Sequence, residues 1–264
     1  KAFLEHGDLM KGGELVFTMG AQPNRIWGRD LGFQSISKIT EPAIVAVPVI
    51  KAESKAFKNQ LTISLQPQTN VHYTTDGTEP SQKSKRFLRP FVIDRNTTVK
   101  AVTIDARGRS SAVVTGTFHR IPHDWKLSLL TRYSSQYPAS GDSAVIDGLR
   151  GTMNWSGGAW QGYWETDFTA VVDLGKIQRL TKVGAGFLQD IGSWIWFPRR
   201  VEIELSKDGK SFTPAASIAF TSDATTIKDF VQTITPQDAR FVRFRALNSG
   251  KNTWIFVDEI LIEN

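Results

Sequence analysis

The sequence predicts an all-β protein built from two β-sandwich domains, and three observations favour this fold class. Short runs of alternating apolar and polar residues, typical of half-buried strands, recur through residues 43–264. Asp-Gly dipeptides and prolines interrupt these runs at the spacing expected for turns in sandwiches and barrels. The chain is 264 residues long, a length that suits about two domains.

Composition excludes several classes of protein. The chain has no cysteine, which excludes disulfide frameworks, thiolate zinc sites and cysteine nucleophiles. No apolar run approaches the roughly 20 residues that a membrane-spanning helix needs, so we expect no membrane span. The chain begins at Lys1 without an initiator methionine or an apolar leader, and we interpret it as a mature or excised piece.

Positive charge is concentrated in the middle of the chain. Residues 43–120 contain 12 Lys and Arg against 5 Asp and Glu, whereas residues 121–264 contain 15 against 16. Scattered lysines are typical of solvated strand edges, where they prevent edge-to-edge pairing. An anionic partner, such as nucleic acid or an acidic glycan, is the alternative interpretation. Because no aromatic RNA-reading motif accompanies the cations, we predict no nucleic-acid partner.

The first segment, residues 1–42, contains one strand candidate at 14–19, which needs a partner strand from elsewhere. Residues 31–42 are predicted to be a linker. The segment carries the pattern His6, Gly12-Gly13-x-Leu15-x-Phe17-x-Met19-Gly20, Pro23-Asn24 and Trp27. It resembles the end of the catalytic region of glycoside hydrolase family 92, the calcium-dependent exo-acting α-mannosidases. This resemblance implies an upstream catalytic domain as a partner, with its catalytic carboxylates before Lys1, and a secreted, periplasmic or cell-surface location.

The second segment, residues 43–120, has predicted strands at 43–47, 60–66, 71–74, 98–104 and 113–119. Its motifs are Tyr73-Thr74-Thr75-Asp76-Gly77-Thr78-Glu79-Pro80, Lys83-Ser84-Lys85, Pro90-Phe91 and Thr97-Thr98-Val99-Lys100-Ala101. They resemble the chitobiase/β-hexosaminidase C-terminal domain, which implies an immunoglobulin-like sandwich acting as a spacer. We interpret Asp76 and Glu79 as turn residues rather than as an acid pair.

The third segment, residues 121–264, has eight predicted strands, at 128–133, 169–172, 182–186, 200–205, 212–220, 228–234, 240–246 and 254–262. Its motifs are Phe168-x-Ala170-Val171-Val172-Asp173-Leu174-Gly175-Lys176, Val201-x-Ile203-x-Leu205-Ser206-x-Asp208-Gly209-Lys210-x-Phe212, Ala239-Arg240-Phe241-Val242-Arg243-Phe244 and Val257-Asp258-Glu259-Ile260. They resemble the coagulation factor 5/8 type C (discoidin) domain, many bacterial examples of which are carbohydrate-binding modules of family 32. The resemblance implies a jelly-roll sandwich with a sugar site in the loops at one end.

Seven of the eight tryptophans lie in this third segment. An exposed indole can cover the flat face of a sugar while amides and carboxylates pair with its hydroxyls. We interpret Trp155, Trp164 and Trp196 as core rings. The predicted glycan-binding residues come from three loops and are Trp160, Gln161, Gln189, Asp190, Trp194, Asn252 and Trp254. The galactose-type His and Arg pattern is not evident, since neither His119 nor His123 lies in these loops.

A structural calcium ion is the second expectation for this segment. The resembled domain binds calcium through an Asp-Gly loop, a Thr five residues later and a Glu near the C-terminus. Asp147, Thr152 and Glu259 match those positions, although Trp155 follows the Thr by one residue more than usual. Oxygen ligands of this kind suit Ca²⁺. A plain turn at Asp147-Gly148 with a surface Glu259 is the alternative.

Catalysis is not predicted for this chain. Glycoside hydrolysis needs two carboxylates across a cleft, and the only acids near the aromatic loops are Glu165, Asp167 and Asp190, whose spacing marks no pair. We therefore interpret the chain as a non-catalytic accessory region of an α-mannosidase-like glycosidase, whose last domain binds glycan weakly. The alternative is an interaction module whose loop tryptophans pack against the catalytic domain.

Overall fold

The computed structural model describes residues 14–17 and 37–40 through their backbone and residues 45–67 and 69–264 in full. Strand β1 (Glu14–Phe17) pairs antiparallel with β2 (Ser37–Thr40). The linker predicted over residues 31–42 is therefore wrong in part, because residues 37–40 supply the partner that β1 requires. The other positions of the mannosidase-like pattern, from His6 to Trp27, lie outside the described residues.

The second segment folds as two facing sheets. Their order is β4-β10-β9-β6-β7 in one sheet and β3-β5-β8 in the other. Alternate residues of β5 are buried, and Ile63 and Leu65 are fully enclosed with Val71, Val99 and Ala101. The strands are β3 (Val49–Lys51), β4 (Ala56–Phe57), β5 (Leu61–Gln66), β6 (Val71–Thr74), β7 (Lys85–Arg86), β8 (Phe91–Ile93), β9 (Thr97–Thr103) and β10 (Val114–Arg120). The strand predicted at 43–47 is wrong over 45–47, which have no regular structure, and β3 begins at Val49.

The third segment is a jelly-roll sandwich, which confirms the predicted all-β fold class. Its longest sheet path runs β12-β17-β13-β16-β14-β15, and β11 pairs with β13. Two strands of 22 residues, β13 and β16, run through both layers of the sandwich. The strands are β11 (Lys126–Leu129), β12 (Gln161–Trp164), β13 (Phe168–Gln189), β14 (Arg200–Ser206), β15 (Thr213–Ile218), β16 (Thr226–Leu247) and β17 (Trp254–Glu263).

Strand β13 replaces two predicted strands, at 169–172 and 182–186. Its pairing with β16 has two irregularities, one between Asp173 and Gln178, where Gly175 has a φ of +81°, and one between Leu180 and Lys182. Gly175 lies between the two predicted strands, and Gly adopts this conformation freely. In the structure it bends one strand, so that its first part pairs with β11 and its second part with β17.

The core of the sandwich is aromatic and continuous between the layers. Phe168, Phe187, Phe230 and Phe244 are fully buried there beside the branched aliphatic residues of β13, β14 and β16. The only helices in the described part of the chain are three-residue 3-10 turns, at Ala144–Ile146, Trp155–Gly157 and Ile191–Ser193. None of the helices described has the length and apolar character needed to cross a bilayer.

Substitution of Gly184 tests how closely β13 and β16 approach each other. A Cβ at Gly184 would lie 2.2 Å from the carbonyl oxygen of Phe230 and 2.6 Å from the Cα of Val231. Since backbone cannot yield as a side chain does, we expect Gly184→Ala to lower the free energy of unfolding by about 3 kcal/mol or more. Urea denaturation followed by tryptophan fluorescence measures this.

Gly192→Ala is the matched control for that substitution. Its nearest neighbour is the Asp190 carboxylate at 3.5 Å, an ordinary contact, so its effect should stay within about 1 kcal/mol. Equal stability of the two variants would contradict the close approach.

Candidate functional site

Two tryptophans meet at one edge of the sandwich. Trp164 ends β12 and lies directly opposite Trp254, the first residue of β17, in the antiparallel register. Their ring centroids are 4.9 Å apart at an interplanar angle of 52°. Trp164 is 40% exposed, whereas Trp254 is partly buried. Paired strand ends therefore place one indole against the other with the outer one open to solvent.

The row of rings continues inward from Trp254. Tyr137 packs edge-on against Trp254 at 5.1 Å, and Trp155 packs edge-on against Tyr137 at 5.8 Å. Edge-to-face contacts of this kind are each worth about 0.5–1.5 kcal/mol beyond the area they bury. Trp155 is half-buried in this row rather than being enclosed in the core. The rings thus support one another along the surface.

A small buried cluster lies beneath this row and is separate from the main core. It consists of Trp160, Leu188, Ile195 and Phe256, and Tyr137, Trp155, Ile227 and Trp254 pack against it. Trp160 is 1% exposed, and its Nε1 donates to the carbonyl oxygen of Thr152 at 2.8 Å. The surface role predicted for Trp160 is therefore wrong. Trp160 belongs to the buried cluster against which Tyr137, Trp155 and Trp254 pack.

The second exposed ring, Trp194, is held by backbone pairing to Trp254. The amide of Trp254 donates to the Trp194 carbonyl at 2.8 Å, and the amide of Trp196 donates to the Trp254 carbonyl at 3.0 Å. Trp194 is 60% exposed and has a φ of +61°. Left-handed backbone is uncommon for a bulky residue because of its Cβ, and it costs about 1–2 kcal/mol. The fold therefore holds a strained tryptophan out into solvent.

Two more strained residues lie beside these rings. Glu165 and Asn252 have φ values of +53° and +56°, so three of the five non-glycine residues with positive φ in the described chain are found here. The two are joined, because the Asn252 amide donates to Glu165 Oε1 at 2.7 Å. Both side chains are exposed. We call Trp164, Glu165, Trp194, Asn252 and Trp254 the aromatic rim.

The predicted glutamines are buried and fully hydrogen-bonded. Gln161 donates to the Gly141 carbonyl and accepts from the Tyr163 hydroxyl at 2.7 Å. Gln189 donates to the carbonyls of Ser222 and Ala224 and accepts from the Phe197 amide. Neither side chain is available to a ligand, so their predicted contact role is wrong. Gln189 instead fixes the loop that carries Trp194.

The acids near the rim differ in how far their carboxylates are already engaged by other groups. Asp190 is partly exposed and accepts a hydrogen bond from the Ser193 hydroxyl. Asp167 pairs with Arg245 and accepts from the Asn248 amide. Glu165 has one carboxylate oxygen engaged by the Asn252 amide. Of the predicted residues, the structure brings Trp194, Asn252 and Trp254 together at the rim, with Asp190 in the loop that leads to Trp194.

Trp164 and Glu165 are the rim residues that the sequence interpretation missed. The sequence predicts Trp164 to be a core ring, which is wrong, because the structure leaves it 40% exposed at the end of β12. The signal was present in the run Gln161–Trp164, where the buried Tyr163 faces the interior and period-two alternation sends Trp164 the other way. The sequence places Glu165 only among the acids near the aromatic loops, since nothing local marks it for left-handed backbone.

The predicted calcium ligands come together only in part. Asp147 and Glu259 are both buried, and the Gly148 amide donates to Glu259 Oε2 at 3.1 Å. Burial first, and then the Asp147 carboxylate, raise the pKa of Glu259 to about 9, and burial also raises the pKa of Asp147. Thr152 is exposed, and its hydroxyl accepts from the Asn154 amide. No group of three or more His, Asp or Glu residues within the described ranges has the geometry of a metal site.

An ion pair between the exposed Arg150 and the buried Asp258 holds the Asp147 loop to β17. Arg150 Nε donates to Asp258 at 2.8 Å, and the Gly151 amide donates to the same oxygen at 2.9 Å. Arg150 also pairs with Asp229 of β16. Burial alone would lower the pKa of Arg150, but its hydrogen bonds to Asp229 and Asp258 raise it. These contacts fix Asp147 beside Glu259, two hard oxygen donors that suit a divalent cation.

Comparison with known families divides the chain in two. Residues 130–260 match the family described as F5/8 type C domain, and residues 60–118 match the family described as Fn3 associated. The third segment thus matches the F5/8 type C description, and the second segment matches a description other than the chitobiase one. The resemblance of residues 6–27 to glycoside hydrolase family 92 stays a prediction. None of the curated proteins compared with the chain matches it.

Solved structures with a similar shape include sugar-binding modules. CpGH89CBM32-5 of Clostridium perfringens, in complex with GalNAc-β-1,3-galactose, is 16% identical, with a TM-score of 0.40 over 53% of this chain and 95% of that one. Chitosan-binding module 1 of a Paenibacillus chitosanase/glucanase is 18% identical, with a TM-score of 0.39 over 55% and 99%. At these values the likeness carries no argument about what this chain binds.

Substitution of Gln189 tests whether its hydrogen bonds hold the loop that carries Trp194. We expect Gln189→Leu to lower the free energy of unfolding by about 3 kcal/mol, because it leaves the Phe197 amide and two carbonyls without a partner. Hydrogen exchange should also rise at residues 190–197. Gln232→Leu, at an exposed position on β16, is the control, and matching losses in both variants would contradict the role of Gln189.

Proposed function

We propose that the F5/8 type C domain binds glycan at the aromatic rim, and that the chain is a non-catalytic accessory region that holds a secreted glycosidase near its substrate. The observation that carries this proposal is Trp194, a tryptophan 60% exposed with left-handed backbone. Strain of this kind clusters at binding sites, where the surrounding structure over-determines it. A ring serving only the fold would be buried and unstrained.

The chemistry of the rim suits a sugar better than an apolar ligand. Two open indoles, Trp164 and Trp194, offer flat apolar surfaces to the CH-rich face of a pyranose. Glu165 and Asn252 supply a carboxylate and an amide beside them, and these accept from and donate to hydroxyl groups. The galactose-type His and Arg pattern is absent from the loops of the rim, so we do not assign galactose as the ligand.

A shallow rim of this kind binds weakly. We expect dissociation constants from the millimolar range to tens of micromolar, or about 4–7 kcal/mol. Such affinity is useful when the module is tethered, because it raises the local concentration of an attached enzyme. The mannosidase-like pattern at residues 6–27 is the support for an α-mannosidase as that enzyme.

We also propose a structural calcium ion at Asp147 and Glu259. The support is a pair of buried carboxylates whose mutual repulsion a divalent cation would relieve. Thr152 has no contact with either acid among those described, so further oxygens would come from loop carbonyls. The ion would join the Asp147 loop to the last strand.

Trp194→Gly separates glycan binding from packing. Because glycine relieves the left-handed strain at this position, we expect the melting temperature to stay the same or rise by a few degrees. Binding on a glycan array should be lost, since the open indole is gone. Calorimetry with the strongest hit of the unaltered chain then measures the change.

Ile177→Ala is the control for that experiment. Ile177 is also exposed, but it lies at the bend of β13, far along the strand from the rim. Its loss should leave glycan binding unchanged. If Trp194→Gly binds as before, the rim is not the site. If it binds no less and also unfolds at a lower temperature, the Trp194 ring serves the stability of the domain and not glycan binding.

Calcium is tested by thermal unfolding with added CaCl₂ or chelator. At free calcium about 100-fold above its dissociation constant, we expect a rise in melting temperature of about 5 °C or more. Glu259→Gln should abolish this rise, whereas Glu263→Gln, at an exposed residue paired with Lys182, should preserve it. Identical melting temperatures with calcium and with chelator would contradict the site.

A further inference from the structure

Four cations crowd one edge of the Fn3-associated domain. Lys85 and Arg86 form β7, the outermost strand of its five-stranded sheet, and Lys83 and Arg89 flank that strand. All four side chains are exposed. At about 3.3 Å per residue, the segment spans at most about 20 Å. We call these four residues the cationic edge.

The cationic edge is unpaired, in contrast to other cations of the same domain. Lys100 pairs with Glu79, Arg95 with Asp94 and Arg109 with Asp105. None of the four edge cations has such an acid among the described residues. Asp76, which lies on the same side of the domain, accepts from the amide and hydroxyl of Thr78. These Thr78 hydrogen bonds, with a smaller contribution from the charge of Lys85, lower the pKa of Asp76. Asp76 therefore offsets at most one of the four edge charges.

Protection against edge pairing does not require this many charges. A very short edge strand already blunts such pairing, and one inward or outward lysine is a common addition. Here β7 has two residues, both charged, and the charge continues on either side of it. This excess of charge favours a ligand over a purely protective role. The protective role is the interpretation that fits the scattered lysines elsewhere.

We propose that the cationic edge binds an acidic polysaccharide, a ligand class separate from that of the aromatic rim. Exposed Gln82 and Asn70 lie among the cations, and Asn70 accepts from Arg86 at 3.4 Å. A uronic acid polymer presents both carboxylates and hydroxyls, and this mixture of cations and amides matches both.

The neighbouring side chains favour this ligand over nucleic acid. Stacking of bases needs an open aromatic ring. In the edge segment Phe87 is 1% exposed, and Tyr73 is stacked on Phe91 at 4.6 Å. Leu88 is 76% exposed, but it is a single residue, whereas membrane surfaces are bound by a wider apolar face.

Binding of the whole chain to immobilised polygalacturonate, measured by biolayer interferometry, tests the proposal. We expect binding that weakens as salt is raised, because exposed charges are screened. Replacing all four edge cations, as K83Q/K85Q/R86Q/R89Q, should weaken it at least about tenfold. The variant K51Q/K55Q/R107Q/K207Q removes the same charge from exposed positions elsewhere and should bind nearly as well as the unaltered chain.

Several results would overturn the proposal. These are equal losses in the two quadruple variants, equal binding to neutral dextran, or tighter binding to duplex DNA or to phosphatidylserine vesicles. Circular dichroism confirms that each variant is folded. Trp194→Gly should keep polygalacturonate binding, and the edge variant should keep binding to any neutral glycan. Failure of one site is therefore distinguishable from failure of the other.

Discussion

Two backbone hydrogen bonds between the 190–197 loop and Trp254 are the constraint on which the rim depends. They join the carbonyl of Trp194 and the amide of Trp196 to the first residue of the last strand. Trp254 is at once the partner of β12, the support of the Trp164 ring and the anchor of the loop. One residue thus brings together rings from three separate parts of the chain. Without this pairing, the left-handed and exposed conformation of Trp194 would lose the hydrogen bonds that hold it to the last strand.

The strain of the rim is offset by buried contacts beneath it. The cluster of Trp160, Leu188, Ile195 and Phe256 packs under Trp254 and its neighbouring rings. Gln189 satisfies three backbone groups around the loop. Each left-handed residue costs of order 1 kcal/mol or more, and each satisfied buried group avoids a penalty of similar size. Stability and ligand presentation therefore rest on different residues of the same loops. That division is why an indole can be lost without loss of the fold.

The aromatic and cationic surfaces follow different physical rules. If the rim binds glycan as proposed, its contacts are short-ranged and its selectivity depends on how hydroxyl groups meet Glu165 and Asn252. The cationic edge acts over about a Debye length and tolerates many arrangements of its ligand. A chain with both would combine weak selective contact with broad retention on charged polymers. Linked weak sites of this kind gain from effective concentration.

The sequence by itself determined the all-β class, most strands, and the concentration of tryptophan and of positive charge, because alternation and composition are local properties. It also pointed to Trp194, Asn252 and Trp254. Burial of Trp160, Gln161 and Gln189, and exposure of Trp164, were decided by the tertiary structure. A tryptophan is buried or exposed according to which strand ends meet. Those pairings join residues about 60–90 positions apart in the sequence. No local pattern records such distant partners.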